Sequence, residues 1–296
     1  MDDGAMLPVL SHVAGGSVET SVFLMVIASA TLHAGWNALL KIGLDRFLTA
    51  SLMQIGAAAV AVLALPWVAL PNAAAWPWIV LSALLHIGYN VFLSRAYRYG
   101  DLGQVYPISR GSSPLLVAGL SVLLLGETLP AGQLLGLAVL VAGIWLMAIR
   151  GGSGEANGGL LFSALMTALF IAGYTLSDAA GARVNGDPLA YSLWLFTVNG
   201  AVMALVILGQ RGPGIVRELG PHWRAGLLGG SMSMLAYSIV IWAMTQAPVA
   251  LVSALRETSV VFALLIGCLW LKESLPPIRL LACLIIVAGV ATLKLA

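Results

Sequence analysis

Tyr97-Arg98-Tyr99-Gly100-Asp101-Leu102-Gly103-Gln104-Val105-Tyr106-Pro107-Ile108-Ser109-Arg110-Gly111-Ser112-Ser113-Pro114 joins two apolar helices and carries Arg110 into lipid-soluble sequence. An apolar run follows, closed by Gly126-Glu127-Thr128-Leu129-Pro130. The pattern returns as Ala254-Leu255-Arg256-Glu257-Thr258-Ser259, another apolar run, and Lys272-Glu273-Ser274-Leu275-Pro276. At a shift of 146 residues Arg110 falls on Arg256, Ser113 on Ser259, Glu127 on Glu273, Leu129 on Leu275, Pro130 on Pro276 and Gly143 on Gly289. Identities in register that include an arginine within an apolar run mark a tandem duplication.

Composition sets the class. Hydrophobic residues make up 60% of the 296 and charged residues 9%, against about 25% charged in a soluble domain. Mean hydropathy is +0.99, and apolar segments of about 20 residues, the length that crosses a bilayer as helix, recur along the chain. An all-α integral membrane protein is expected. The net charge of +2 gives no reason to expect a nucleic-acid partner; the lipid bilayer is the expected surrounding. Cys268 and Cys283 lie in apolar runs and read as packed thiols.

Residues 1–20, acidic at Asp2 and Asp3 and interrupted by Pro8, read as an N-terminal tail without a basic signal region. Ten spans are expected: Val22–Gly43, Phe47–Leu70, Trp76–Tyr97, Gln104–Leu125, Pro130–Ile149, Gly159–Ala182, Leu189–Leu208, Trp223–Gln246, Pro248–Leu271 and Pro276–Leu293. Residues 151–158 form a Gly-rich linker, so one five-helix copy covers 21–150 and the second 159–296. The longest stretch outside the membrane, Gly209 to His222, leaves no room for a soluble catalytic domain.

Five spans is an odd number, so the second copy must enter the membrane inverted. Lys41, Arg46, Arg95, Arg98, Arg150, Arg211, Arg217, Arg224, Lys272 and Arg279 then fall on one side, and Arg183 and Lys294 on the other. Basic residues stay in the cytoplasm, which puts both termini outside. Two inverted repeats around a central cavity at the midplane is an architecture of alternating-access carriers.

The two five-helix halves, Arg95-Ala96-Tyr97-Arg98-Tyr99-Gly100, Leu125-Gly126-Glu127-Thr128-Leu129 and Lys272-Glu273-Ser274-Leu275 resemble the drug/metabolite transporter superfamily, EamA type. The resemblance covers nearly the whole chain after residue 20. It implies a ten-helix bacterial inner-membrane carrier that exports amino acids or other small metabolites, and among these it looks most like the exporters of aromatic and other neutral amino acids. The second copy departs from the first: Glu257 replaces Gly111 and Val260 replaces Pro114.

Intramembrane charge marks function by default. Arg110 and Arg256 lie about two turns inside their helices, from opposite ends, which places two guanidiniums at mirrored depths. Either recognises a substrate carboxylate through its fork of donors, or it forms a gate or structural pair with Glu257, Asp178 or helix-end carbonyls. Glu257 cannot serve Arg256, because neighbours i and i+1 do not face each other. His33, Trp36 and Asn37 share one face of the first span, and His86, Tyr89 and Asn90 share one face of the third. Tyr174 and Asp178 share a face of the sixth span; Trp194 and Asn199, and Ser231, Ser233, Tyr237 and Trp242, add polar and aromatic groups from the seventh and eighth. Trp36, Asn37, His86, Asn90, Tyr174, Asp178, Tyr237 and Arg256 form the expected substrate site, with Arg110 and Glu257 as gating or structural charges. Interhelical hydrogen bonding, worth about 1 kcal/mol per contact, is the competing reading for any one of these residues. Asp178, Glu257, His33 and His86 are candidates for proton coupling.

Gly132, Gly136 and Gly143 on the fifth span and Gly289 on the tenth allow close helix contact, and place those two helices at the periphery or at a homodimer seam. There is no His-Glu-x-x-His, Gly-x-Ser-x-Gly or phosphate-loop motif, so no cofactor, metal or enzymatic role is expected. Exporters of other amphipathic metabolites or cationic drugs, and a scaffold or sensor without transport, remain the alternatives.

Overall fold

The computed structural model describes residues 18–39, 46–100, 102–151, 158–271 and 276–296. Among them all regular structure is helical. The helices are α1 (Thr20–Leu39), α2 (Arg46–Ala64), α3 (Trp76–Tyr99), α4 (Leu102–Leu125), α5 (Ala131–Gly151), α6 (Gly158–Asn185), α7 (Pro188–Arg211), α8 (Trp223–Met244), α9a (Val249–Arg256), α9b (Ser259–Leu271) and α10 (Pro277–Leu295). Eight spans in the described residues are long and apolar enough to cross a membrane, and the described apolar parts of α1 and α5 are shorter. Leu63, Leu123, Leu124, Leu205 and Leu284 stay exposed, as side chains facing lipid do. The chain is a multi-pass membrane protein.

Local chemistry sets the helix ends. Asp187 caps α7, its Oδ1 accepting from the Leu189 and Ala190 amides at 3.0 Å each, and Pro188 occupies the first turn, where no amide partner is lost. The Asn72 Oδ1 accepts from the Ala75 amide ahead of α3, and Pro276 and Pro277 open α10. The stretch expected to lie outside the membrane between the seventh and eighth spans contains a short helix, Ile215–Leu219.

The ninth span departs from the single helix Pro248–Leu271 read from hydropathy. It breaks at Glu257 and Thr258, where amide bonds shorten to three residues: Glu257 to Ala254, Thr258 to Leu255, Val260 to Glu257 and Val261 to Thr258. The Thr258 hydroxyl also bonds back to the Leu255 carbonyl at 2.7 Å, competing with the regular ladder. By contrast α4 runs unbroken past Pro107 and Pro114, as proline-bearing membrane helices can.

Eight helices pack in the ring α8, α2, α7, α3, α6, α4, α9, α1 and back to α8, with α5 and α10 paired outside it. Missing side chains let the crossings close. A Cβ on Gly56 of α2 would stand 2.2 Å from the Gly226 carbonyl oxygen of α8, and one on Gly289 of α10 would stand 2.5 Å from the Leu140 amide nitrogen of α5. Gly132 faces Ala296, Gly136 faces Leu293 and Gly143 faces Ile286, so these glycines let α5 and α10 close on each other.

Candidate functional site at the helix break

Charge and aromatic rings from four helices meet where α9 breaks. Arg110 of α4 pairs with Glu257 through two contacts, NH2 to Oε1 at 2.8 Å and Nε to Oε2 at 3.0 Å. Both side chains are buried. Glu257 thus finds its partner on another helix, as the i, i+1 argument requires. Arg256 turns the other way, its guanidinium carbon 5.2 Å from the centre of the Tyr237 ring. It too is buried, and among the described residues its Nε has no hydrogen-bond partner.

Asp178 is fully buried on α6. Its Oδ2 accepts from the Tyr237 hydroxyl at 2.7 Å and its Oδ1 from the Tyr191 hydroxyl at 3.2 Å. With both oxygens taken, Asp178 holds the Tyr237 phenol in place beneath Arg256 rather than facing open space. Tyr174, one turn before it, stacks on His86 with centroids 4.1 Å apart and meets Tyr89 and Tyr237 edge-on at 5.9 and 6.0 Å. The ring of His86 is held by the Ser82 carbonyl, 2.9 Å from Nδ1.

The remaining expected residues divide. Asn90 is buried, but its amide donates to the His86 carbonyl on its own helix at 2.9 Å, so it stiffens α3. Trp36 meets His33 edge-on at 5.0 Å, and among the described residues its buried Nε1 has no hydrogen-bond partner. His33 lies within electrostatic reach of Arg110 and Arg256, which brings α1 to the same centre. The Asn37 side chain lies outside the described residues. Trp194 belongs elsewhere, packing edge-on against Trp76 at 5.5 Å. Ser231 donates to the Leu227 carbonyl of its own helix.

A second charged contact escaped the sequence reading. Glu127, after α4, takes the Arg183 NH2 of α6 at 2.8 Å and accepts from the Val249 amide, first residue of α9a, at 2.9 and 3.0 Å. Arg183 also donates from Nε to the Met244 carbonyl at the end of α8. A carboxylate at a helix N-terminus complements its free amides. In sequence Glu127 precedes the start of α5, not of α9a, and nothing in the spacing named Arg183 or Val249 as its partners.

These contacts fix two ends. Glu127, Arg183 and Val249 lie at one, with Asn72 bonded to Asn185 and Val184. Arg95, Arg98, Arg211 and Phe47 lie at the other, around a cavity of about 770 Å³. That cavity sits at the bundle end and not at the midplane, and none of the expected site residues lines it. Toward the centre the Arg256 guanidinium lies over the Tyr237 ring, and His86, Tyr89 and Tyr237 pack around Tyr174.

Buried charges held at a helix break inside an apolar bundle define a polytopic membrane protein with paired charges among its spans. The chain belongs to the EamA-like transporter family, whose profile matches residues 20–149 and 158–295. A crystal structure whose description states no function is similar at 21% identity and a TM-score of 0.74, over 93% of this chain and 98% of that one; at that identity the likeness shows the fold alone. No curated protein matches the chain.

Proposed function

We propose that the protein is a secondary carrier of small metabolites, amino acids first among them, working by alternating access between two inverted copies, residues 21–150 and 159–296. The helix contacts support the inversion. Exchanging each helix for the one five places on carries the ring of eight onto itself, and the α2–α7 and α5–α10 pairs onto themselves. The N-terminus of α1 sits by Lys294 at the Glu127 end, whereas Gly159 at the start of α6 sits against Tyr99 at the other. The basic residues clustered at the Arg95 end argue that this end is cytoplasmic, both termini outside, in a bacterial-type inner membrane.

In this reading Glu127, Arg183 and the α9a amide close the outer end while the cavity opens inward. Arg256 receives the substrate carboxylate, with Tyr174, His86 and Trp36 as walls. Asp178 positions Tyr237, and the Arg110–Glu257 pair separates the two halves of the path. The observation that carries the assignment is the buried Nε of Arg256, without a hydrogen-bond partner among the described residues, at a break in a transmembrane helix. Irregular backbone at membrane depth is tolerated where it lines such a path. Export is the direction proposed.

The test is counterflow in proteoliposomes with a panel of radiolabelled neutral and aromatic amino acids and organic cations. Amino-acid exchange that Arg256→Ala abolishes is the expected result. Wild-type exchange in that variant would remove Arg256 from the mechanism, and exchange of cations alone would replace the substrate class.

A further inference from the structure

Hydrogen bonding between helices is the ordinary use of a carboxamide in a membrane bundle. Gln54 of α2 and Asn199 of α7 depart from it. Oε1 of Gln54 and Oδ1 of Asn199 are buried, and among the described residues neither has a hydrogen-bond partner. A buried acceptor left bare is costly in lipid, and here two of them stand at one helix crossing. A Cβ on Gly200, the neighbour of Asn199, would lie 2.2 Å from the Ala58 Cβ and 2.7 Å from the Gln54 carbonyl oxygen, so the two residues share a level. Gln54 falls in the middle third of the span Phe47–Trp67 and Asn199 at the middle of Pro188–Arg211.

Their setting ties them to the break in α9. Ala57 of α2 and Phe196 of α7 belong to one apolar cluster against which Tyr237 packs, and the Arg256 guanidinium lies over that same tyrosine. Gln54 stands three residues from Ala57, and Asn199 three residues from Phe196, on the same face of each helix. Both steps run about 4.5 Å toward the end marked by Phe47 and Arg211. In the ring of eight, α2 and α7 stand across from α4 and α9. One side of the bundle offers a guanidinium, which only donates; the other offers carboxamide oxygens, which accept.

We infer that Gln54 and Asn199 receive the ammonium group of a zwitterionic amino acid whose carboxylate lies on Arg256. The inference rests on the carrier reading above and supplies the second half of its site. An ammonium group carries three donors and no acceptor, so it satisfies both oxygens at once. Neutral carboxamides suit a site that empties in every cycle, because they leave no buried anion behind when the substrate departs.

The test is exchange in proteoliposomes of two probes, L-phenylalanine and 3-phenylpropionate, which differ only in the ammonium group. Wild type should favour L-phenylalanine in kcat/KM by at least about tenfold, the effect of one hydrogen bond to a charged group. Q54L/N199L should bring that ratio near one by weakening L-phenylalanine. Measuring both probes on the same variant cancels any general loss of folded protein. N199D keeps the shape and the acceptor, adds a charge that attracts ammonium, and should widen the ratio, so the inference stays testable if the apolar pair does not fold. A ratio unchanged in either variant, or equal exchange of the two probes by wild type, would overturn the inference and leave Arg256 as the carboxylate site. Wild-type exchange of neither probe would instead sink the amino-acid reading, and this inference with it.

Discussion

Glu127→Ala offers a direct handle on the closed end of the bundle. The substitution removes the 2.8 Å ion pair with Arg183 and the acceptor for the Val249 amide together. A hydrogen bond to a charged group contributes about 1.5–3 kcal/mol net, and a carboxylate at a helix N-terminus about 0.3–1 kcal/mol. The sum, about 2–4 kcal/mol, shifts an equilibrium between closed and open forms by about 30- to 700-fold at 1.4 kcal/mol per decade. The readout is a cysteine at Ser253, one turn below Val249 on α9a and buried, in a background lacking Cys268 and Cys283. A membrane-impermeant maleimide added outside should label it slowly in the parent and at least about thirtyfold faster with Glu127→Ala. A cysteine at the buried Leu160, near the opposite end, should stay unreactive in both, which separates opening from unfolding. An unchanged rate at position 253 would refute the lock.

Three further outcomes test the core. Arg110→Met or Glu257→Met alone should cost about 3–5 kcal/mol by stranding a buried charge, and the double variant should recover most of it; strictly additive losses in denaturation would dissolve the pair, and a stable double variant with no flux would assign it to the cycle. Tyr237→Phe should destabilise more than Tyr191→Phe, within about 1–3 kcal/mol, because its bond to Asp178 is 2.7 Å against 3.2 Å; the reverse order in melting curves would contradict the assignment. Gly289→Leu should lower the melting temperature through about 1–3 kcal/mol of overpacking, since its Cβ would meet the Leu140 backbone, whereas Gly119→Ala, with nothing within 4 Å, should be neutral; equal melting of both would refute the close α5–α10 crossing.

Hydropathy located the spans because lipid demands about 20 apolar residues per crossing whatever the fold. It could not reveal the break in α9. Val249–Leu271 is apolar on both sides of Arg256-Glu257-Thr258-Ser259, and hydropathy does not register amide bonds that shorten by one residue. Helical spacing placed His86 and Asn90 on one face, yet their fates differ, one stacking on Tyr174 and the other spent on its own backbone. A face is a local property; the partner across it is not. The same limit hid Arg183, which reads as an ordinary helix-end charge until α6 and the α4–α5 turn are brought together. The central cavity expected from the repeat rests on the same kind of local signal. Polar faces say that the middle is polar, not whether charges and rings fill it or leave it open.

The polar contacts also say where the bundle resists change. Arg110 to Glu257, Glu127 to Arg183 and Val249, Ser29 to the Ala236 carbonyl, Ser177 to the Trp78 carbonyl, Asn72 to Asn185, and Lys294 to Val18 and Thr20 each join a residue before 152 to one after 157. The two stretches are laced together, not merely adjacent. Any rearrangement of one against the other must therefore exchange charged and hydrogen-bonded contacts, and in lipid such groups cannot be left bare. One of these, the Arg110–Glu257 pair, depends on an acidic residue at the break in the ninth span. In the proposed pair of inverted copies Glu257 stands where the first has Gly111, so in that reading divergence between the copies sets the central charge of the bundle.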